Sequence, residues 1–360
     1  MKVLLVQPKG SLKYYTTYPP LGLLKLAAYH KRQGHKVKLV QGFSDNGFEP
    51  KIIYITSLFT YAYEPVHNVI HYYSTKYKKA KIIVGGIYAT LCADHLKDTF
   101  KNRIEIHKGL LPEVENILPD YSLVPEWNAS IVFSSRGCKR SCPFCAVSFL
   151  EPKLQANKSI KHLIYPGHKK VIFWDNNILA SPYWENIFDE LEELNLEVDF
   201  NQGIDARLID FHVAERLMKL RIRVLRLAYD TVGIRNPLRK AIDTLKEVGF
   251  RGRKILVYCL HDYENSKDTP ETFLARIKDL MEWGVVSYPM RYEPLEPRPK
   301  NTFVSPYWSA QELEMIARAR RVIGFGGAFP PYEGLKKKIL IAKNFKKAFE
   351  LRPISRTSTR

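Results

Sequence analysis

The feature that most constrains the fold of this chain is the alternation of short apolar segments with longer amphipathic ones. In the N-terminal third, the apolar segments have the length of buried strands, and the amphipathic segments have helical periodicity. Strands are predicted at Lys2–Gln7, Lys36–Val40, Ile52–Thr56 and Ala80–Val84, with helices at Leu21–Gln33 and Pro65–Tyr77. Such alternation is typical of a parallel sheet covered by helices. We therefore expect an α/β fold that begins with a Rossmann-like, doubly wound parallel sheet.

The same alternation resumes after a proline-rich stretch, Leu111–Pro125, which predicts a linker. Six further strands are predicted, at Ser130–Ser134, Lys170–Trp174, Leu196–Asn201, Arg223–Tyr229, Lys254–Leu260 and Val285–Met290. Helices are predicted between them, at Pro182–Leu194, Asp210–Leu220, Pro237–Val248 and Pro270–Trp283. Parallel strands with right-handed helical crossovers can close or nearly close a barrel. We expect a partial (βα)6 barrel here.

Three cysteines follow the first of these six strands. Cys138, Cys142 and Cys145 have the spacing Cys-x3-Cys-x2-Cys. Iron–sulfur clusters usually take four cysteines, so three thiolates would leave one iron of a [4Fe-4S] cluster open to a small molecule. Zinc is the alternative metal. A structural zinc site requires four ligands, however, and no second pair of cysteine or histidine ligands follows the three cysteines. The other two cysteines, Cys92 and Cys259, lie in apolar surroundings and are expected to be buried thiols.

With Phe144 just before its last cysteine, this segment resembles the signature of radical S-adenosylmethionine (SAM) enzymes. The resemblance implies that SAM binds the open iron and that Phe144 packs near its adenine. It also implies that one electron cleaves SAM to methionine and a 5′-deoxyadenosyl radical, which abstracts hydrogen from a substrate. A reductant such as flavodoxin or ferredoxin would supply the electron. Radical SAM cores are six-stranded partial barrels, in agreement with the predicted strands.

The N-terminal segments YPPLGLLKLAAYHKRQGHKVKLV and KIIVGGIYAT resemble the cobalamin-binding-type domain that precedes many radical SAM cores. Glycine pairs such as Gly85 and Gly86 allow a close backbone approach, because glycine has no Cβ. The sequence lacks the Asp-x-His-x-x-Gly loop whose histidine ligates cobalt in cobalamin methyltransferases. The resemblance therefore implies the fold, and cobalamin is a candidate cofactor.

Polar residues at the carboxyl ends of barrel strands are candidates for cofactor binding. The resemblance implies that residues after the second strand contact the SAM amino group, although a loop or helix cap is the alternative. Residues after the third strand would bind the SAM ribose or carboxylate, and a local pair of Arg207 with Asp205 is the alternative. One residue after the fourth strand would contact SAM or substrate or cap a helix. In chain order the candidates are Asp175, Asn176, Asn177, Asn201, Gln202, Arg207 and Asp230.

Two residues near the last two strand ends are candidates for catalysis. His261 follows the fifth strand and could donate a proton or quench a radical beside it, although a lone histidine is more often structural. Tyr292 follows the sixth strand and could pass a hydrogen atom to a product radical.

The net charge of +19 favours an acidic partner, either a nucleic acid or an anionic substrate. The segment from Lys336 to Arg360 is especially rich in Lys and Arg. Upstream of it, Ser309 and Glu312 predict a capping box that opens a helix through Val322, with Phe325-Gly326-Gly327 as its end. No apolar run is long enough to span a membrane, so a cytoplasmic protein with no membrane partner is expected.

These observations predict three regions: a cobalamin-binding-type Rossmann-like domain at 1–124, a radical SAM core with its cluster at 125–300, and a basic helical C-terminal extension at 301–360. The expected function is functionalisation of an unreactive C–H bond, which would be a methylation if cobalamin binds. One alternative is a cobalamin-independent radical modification of a nucleic acid or anionic metabolite. Another is a non-catalytic binding protein whose cysteines carry zinc.

Overall fold

The computed structural model describes residues 1–9, 18–44, 47–265, 267–319 and 333–350. The chain divides into two compact units. The first comprises Met1–Leu196 with Glu293–Thr302, and the second comprises Glu197–Tyr292 with the chain from Phe303 onward. The domain boundaries at 124 and 300 stay a prediction. Within the described ranges, no helix is long and apolar enough to cross a membrane.

The first unit begins with a five-stranded, entirely parallel sheet. Its strands are β1 Lys2–Gln7, β2 Lys36–Gln41, β3 Ile52–Ser57, β4 Lys81–Gly86 and β5 Glu105–Ile106. Their order in the sheet is β2–β1–β3–β4–β5. The helices are α1 Leu21–Arg32, α2 Tyr63–Lys76, α3 Ile87–Leu91 and α4 Ala93–Phe100.

Both faces of this sheet are buried, as strand β1 illustrates. Leu4 and Val6 belong to the hydrophobic core that includes residues of α2. Val3 and Leu5 belong to a separate core that includes residues of α1. Successive strand side chains point to opposite faces, so helices must cover both sides of the sheet. The prediction of a doubly wound, parallel α/β fold is confirmed.

The stretch predicted as a linker is packed rather than extended. It contains a short helix, α5 Pro112–Glu115, and Val114 is buried with the α1 residues under the first sheet. The Tyr121 hydroxyl accepts a hydrogen bond of 2.8 Å from the backbone N–H of Ile131. Because Ile131 belongs to the next strand, the stretch joins the first sheet to the cysteine-bearing region.

The cysteine-bearing region completes the first unit. Its elements are β6 Ala129–Val132, β7 Ser135–Arg136, α6 Val147–Leu150, β8 Gln155–Ala156, β9 Lys170–Phe173 and α7 Trp184–Leu194. Strands β6 and β9 pair in parallel, as predicted. Strands β7 and β8 form a short antiparallel pair that the sequence pattern did not indicate.

The second unit contains the remaining predicted strands. Its elements are β10 Glu197–Phe200, α8 Phe211–Lys219, β11 Arg221–Ile222, β12 Leu225–Ala228, α9 Arg235–Glu247, β13 Ile255–His261, α10 Pro270–Glu282 and β14 Val286–Arg291. Strands β12, β13 and β14 form a parallel sheet, and β10 pairs in parallel with β11. The parallel strands are confirmed, whereas the partial (βα)6 barrel stays a prediction.

The described C-terminal part is helical, in α11 Ala310–Ala319, α12 Glu333–Ile341 and α13 Phe345–Phe349. Ser309 and Glu312 form the predicted capping box: the Ser309 N–H donates to Glu312 Oε2 at 2.9 Å, and the Glu312 N–H donates to Ser309 Oγ at 3.2 Å. The predicted helix end at Val322 and the Phe325-Gly326-Gly327 stop lie outside the described residues, as do residues 351–360.

Candidate functional site

The cysteine loop, residues 137–154, is closed at its base by the β7–β8 pair. Ser135 and Arg136 lie opposite Ala156 and Gln155. Gly137 has a φ of +79°, which favours glycine, and a Cβ there would overlap the backbone carbonyl of Lys153. The two strands of the loop therefore approach each other at Gly137 more closely than another residue would allow.

Cys138, Cys142 and Cys145 are each half-buried on this loop. The Cys145 N–H donates to the Cys142 carbonyl at 3.0 Å, which forms a tight turn. The Cys138 sulfur accepts hydrogen bonds from the backbone N–H of Arg140 at 3.4 Å and from Asn177 Nδ2 at 3.7 Å. Hydrogen bonds to the sulfurs are among the features that tune iron–sulfur clusters. The chemistry of these donors fits such a cluster.

Among the residues that the structure describes, no group of three or more His, Cys, Asp or Glu side chains is arranged to hold a metal ion. Cys259 is fully buried, and burial raises the pKa of its thiol to about 12. Cys92 is half-buried, and its Sγ donates to the Leu295 carbonyl at 3.3 Å. Burial, followed by the charge of Glu296, raises the pKa of Cys92 to about 11. Both thiols are therefore poor candidates for a fourth ligand. Phe144 lies half-buried on the loop, and its predicted adenine contact stays a prediction.

Asp175, at the end of β9, fixes the start of the cysteine loop. Its carboxylate is fully buried and accepts four hydrogen bonds, from the N–H and the hydroxyl of both Ser134 and Ser135, at 2.5–3.0 Å. Burial raises the pKa of Asp175, although these hydrogen bonds act in the opposite direction. The contact of Asp175 with SAM stays a prediction, but the carboxylate already has a structural role.

The next two residues bring the end of β9 to the cysteine loop. Asn177 reaches the Cys138 sulfur, as described above, and Asn176 Nδ2 donates to Glu151 Oε2 at 2.8 Å. Glu151 lies directly after α6, and its carboxylate also accepts from the Gly137 N–H at 2.8 Å and from Arg136 at 3.0 Å. The structure thus brings both Asn176 and Asn177 into hydrogen-bonding contact with the cysteine loop.

Arg136 connects this hydrogen-bond network to helices α5 and α1. Its guanidinium lies over the Phe133 ring and donates to Glu115 Oε1 from Nε at 2.8 Å and from a terminal nitrogen at 2.6 Å. Lys25 on α1 also bonds Glu115 Oε1, at 3.2 Å. Burial disfavours the ionised Glu115, but the charges of Arg136 and Lys25 outweigh burial and hold its pKa below the usual range. Sequence analysis missed Glu115 and Glu151, since nothing in the pattern separates them from other glutamates.

In the second unit, the residues after β10 form a local arrangement. The Arg207 guanidinium pairs with Asp205, with Nε 2.7 Å from Oδ1, which is the alternative considered from sequence. Gly203 has a φ of +89° and packs against the Arg226 carbonyl. The side chains of Asn201 and Gln202 hydrogen-bond each other at 3.4 Å. The SAM contacts of these residues stay a prediction.

Asp230 follows β12 and has an unusual electrostatic environment. Burial raises the pKa of its carboxyl to about 6, and the charges of Arg276 and Arg207 with a backbone hydrogen bond from Leu260 only partly oppose this. The Arg276 guanidinium is itself buried and bonds the carbonyls of Tyr229 and Asp230 and the carboxylate of Asp268. Asp230 is therefore a carboxyl group whose pKa is raised well above the usual range of an aspartate.

The two catalytic candidates are buried among aromatic rings. His261 is 4% exposed, and its ring lies 5.1 Å from that of Phe273 on α10 and 5.7 Å from that of Trp308. Tyr292 is 8% exposed and packs against Tyr263 and Phe303. His261 thus faces the layer of helices, and the catalytic roles of both residues stay predictions.

Comparison with known proteins finds a distant relative. The chain is 27% identical, over 227 aligned residues, to an uncharacterized methyltransferase of Pyrococcus horikoshii. The alignment covers 46% of this chain and 49% of the relative, so the chain matches about half the length of that protein. No family model matches the sequence.

Proposed function

We propose that this chain is a radical SAM enzyme and that Cys138, Cys142 and Cys145 hold a [4Fe-4S] cluster. The observation that carries the proposal is the Cys-x3-Cys-x2-Cys loop, whose first sulfur accepts hydrogen bonds from Arg140 and Asn177. When bound, the cluster would supply the electron that cleaves SAM reductively, with 5′-deoxyadenosine as the product after hydrogen abstraction. Flavodoxin or ferredoxin is the proposed reductant.

The roles of the surrounding residues follow from their contacts. Asn177 donates to the Cys138 sulfur, a kind of contact that tunes iron–sulfur clusters. Asp175 holds Ser134 and Ser135, which fixes the strand that enters the loop. Phe144 lies two residues from Cys142 and is assigned to the adenine of SAM. Together these residues would orient the ligands before SAM binds.

Methylation is the proposed outcome of the reaction. Its support is the similarity to a methyltransferase over half of that relative's length. Cobalamin is the proposed methyl carrier, and the doubly wound parallel sheet of the first unit is where it would bind, since such sheets bind ligands at the carboxyl ends of their strands.

A cobalamin-independent modification of a nucleic acid or an anionic metabolite is the second candidate. The net charge of +19 favours it, because a basic surface attracts polyanions. Binding to RNA or DNA that weakens steeply with salt would support this candidate over the first. Equal binding at low and high salt would count against it.

The test is anaerobic reconstitution with iron and sulfide, followed by incubation with SAM and dithionite and assay of 5′-deoxyadenosine. A Cys142→Ala variant is the control, and we expect it to give no product because one ligand is lost. Metal analysis of the purified chain accompanies the assay. Stoichiometric zinc without iron uptake would contradict the proposal and assign the chain to the zinc-carrying binding proteins.

A further inference from the structure

Glu151 is the residue at which three separate segments of the first unit meet. Its side chain is 12% exposed, and each contact of its carboxylate is with a donor. Oε2 accepts from the Gly137 N–H and from Asn176 Nδ2, both at 2.8 Å, and Oε1 accepts from Arg136 at 3.0 Å. One carboxylate therefore ties its own segment to Arg136 and Gly137, which directly precede Cys138, and to the chain after β9.

The contacts of Glu151 join the two ends of the cysteine loop. Gly137 directly precedes Cys138, and Glu151 follows Cys145 by six residues. The three cysteines thus lie within a loop whose two ends are joined by the Glu151–Gly137 hydrogen bond. Because no room exists for a side chain at Gly137, the two ends are also in van der Waals contact.

We infer that Glu151 is a positioning residue that locks the base of the cysteine loop and so holds together the two ends of the segment that carries Cys138, Cys142 and Cys145. The inference rests on the proposed function for the metal that these thiolates would bind. Glu151 would touch neither cluster nor SAM and would act through Gly137 and Asn176. The Glu115–Arg136 ion pair helps to hold Arg136 against Glu151, because Arg136 bridges the two glutamates.

Glu151→Gln is the sharpest perturbation. All three partners of the carboxylate are donors, so the amide nitrogen that replaces one oxygen must face an N–H group. The substitution changes volume very little, which leaves loss of the lock as the main effect. Glu193→Gln is the matched control, because Glu193 forms an ion pair with Lys161 at the surface, where the side chain is 65% exposed. Glu151→Asp keeps both acceptor oxygens and is expected to lie nearer to the wild type.

The first readout needs no metal. Lys139 and Arg140 lie between Cys138 and Cys142, so trypsin cleavage there reports opening of the loop in the metal-free chain. We expect Glu151→Gln to be cleaved there about tenfold faster than the wild type, as loss of a hydrogen bond to a charged group implies. The thermal midpoint should change little, which separates loop opening from unfolding. Unchanged cleavage in Glu151→Gln would overturn the inference.

The second readout is the iron content and the electron paramagnetic resonance spectrum after anaerobic reconstitution and reduction. We expect Glu151→Gln to bind less iron and to give a broadened or altered spectrum, while Glu193→Gln matches the wild type. If the wild-type chain binds only zinc, the proposed function fails, and the cleavage rates still decide whether Glu151 locks the loop. A wild-type spectrum in Glu151→Gln would contradict the positioning role.

Discussion

Two strand-end carboxylates, Asp175 after β9 and Asp230 after β12, occupy equivalent places in the sequence pattern, and burial raises the pKa of both, but they have different partners. Asp175 accepts four hydrogen bonds from Ser134 and Ser135. Burial raises the pKa of Asp230 to about 6, and the charges of two arginines and a backbone hydrogen bond from Leu260 only partly oppose this. The comparison shows that the carboxylate of a strand-end residue can be satisfied by hydrogen bonds from one neighbouring segment, as in Asp175, or depend mainly on the charges of arginines, as in Asp230.

The two regions also differ in how far their arginines are buried and in the partners with which they pair. Arg136 is 15% exposed, lies on Phe133 and bridges Glu115 and Glu151. Arg207 is 36% exposed and pairs with Asp205, two residues away. The charge of Arg136, beside the cysteine loop, is therefore balanced by two glutamates from distant parts of the sequence. Arg207 in the second unit pairs instead with a residue two positions away.

The largest expected effect is that of Asp175→Asn. The amide nitrogen would face a hydroxyl or N–H donor in a fully buried site, so the substitution should lower the free energy of unfolding by about 3 kcal/mol. Urea denaturation measures this difference. Asp210→Asn is the control, because Asp210 caps α8 through the Val213 N–H and asparagine caps about equally well. A loss below that of the control would show that Asp175 is not a structural carboxylate.

Arg136→Lys should have the second largest effect. Lysine cannot form the two-nitrogen contact with Glu115 or stack on Phe133, so the free energy of unfolding should fall by about 2 kcal/mol. Arg207→Lys is the matched substitution in the second unit and should cost less than about 0.5 kcal/mol, because the Arg207 side chain is 36% exposed and pairs only locally with Asp205. Equal losses for the two variants would remove the contrast between the two regions.

Asp230→Asn should give the smallest effect, and one of opposite sign. Because the folded-state pKa of Asp230 lies above the unfolded value, the unfolded chain loses its proton first as the pH rises from about 4 to 6. Ionised Asp230 therefore costs stability above pH 6, and its replacement should stabilise the chain by about 1 kcal/mol at pH 8. The gain should vanish toward pH 4. Denaturation curves at both pH values test this, and a loss of stability at pH 8 would show that the charge of Asp230 is compensated.

Much of the fold was predictable because its strands are buried on both faces. Strand β1 spans Lys2–Gln7 as predicted, and β13 and β14 differ from their predicted bounds by one residue at each end. Continuous apolar runs bounded by charged residues give such strands clear limits. The β5 and β7–β8 segments were missed because each strand has two residues, too few for any periodicity.

The site was predictable only where residue type and spacing determine the chemistry. The spacing of the cysteines and the polar residues after β9 were evident, and Asn177 indeed contacts Cys138. The roles of Glu115 and Glu151 depend on contacts across 21 and 14 residues with Arg136 and Gly137, which no local pattern encodes. The orientation of His261 was available from sequence, since Ile255, Val257 and Cys259 alternate on the face that it shares.

The position of Glu115 limits how this protein could be taken apart or recombined. Glu115 belongs to the stretch before residue 125, yet its carboxylate neutralises Arg136 at the entrance to the cysteine loop. A truncated chain that starts at residue 125 would retain every cysteine of the loop while Arg136 lost one of its two anionic partners. An N-terminal sheet borrowed from another protein would need an acid at the same place, so the two regions are not interchangeable modules.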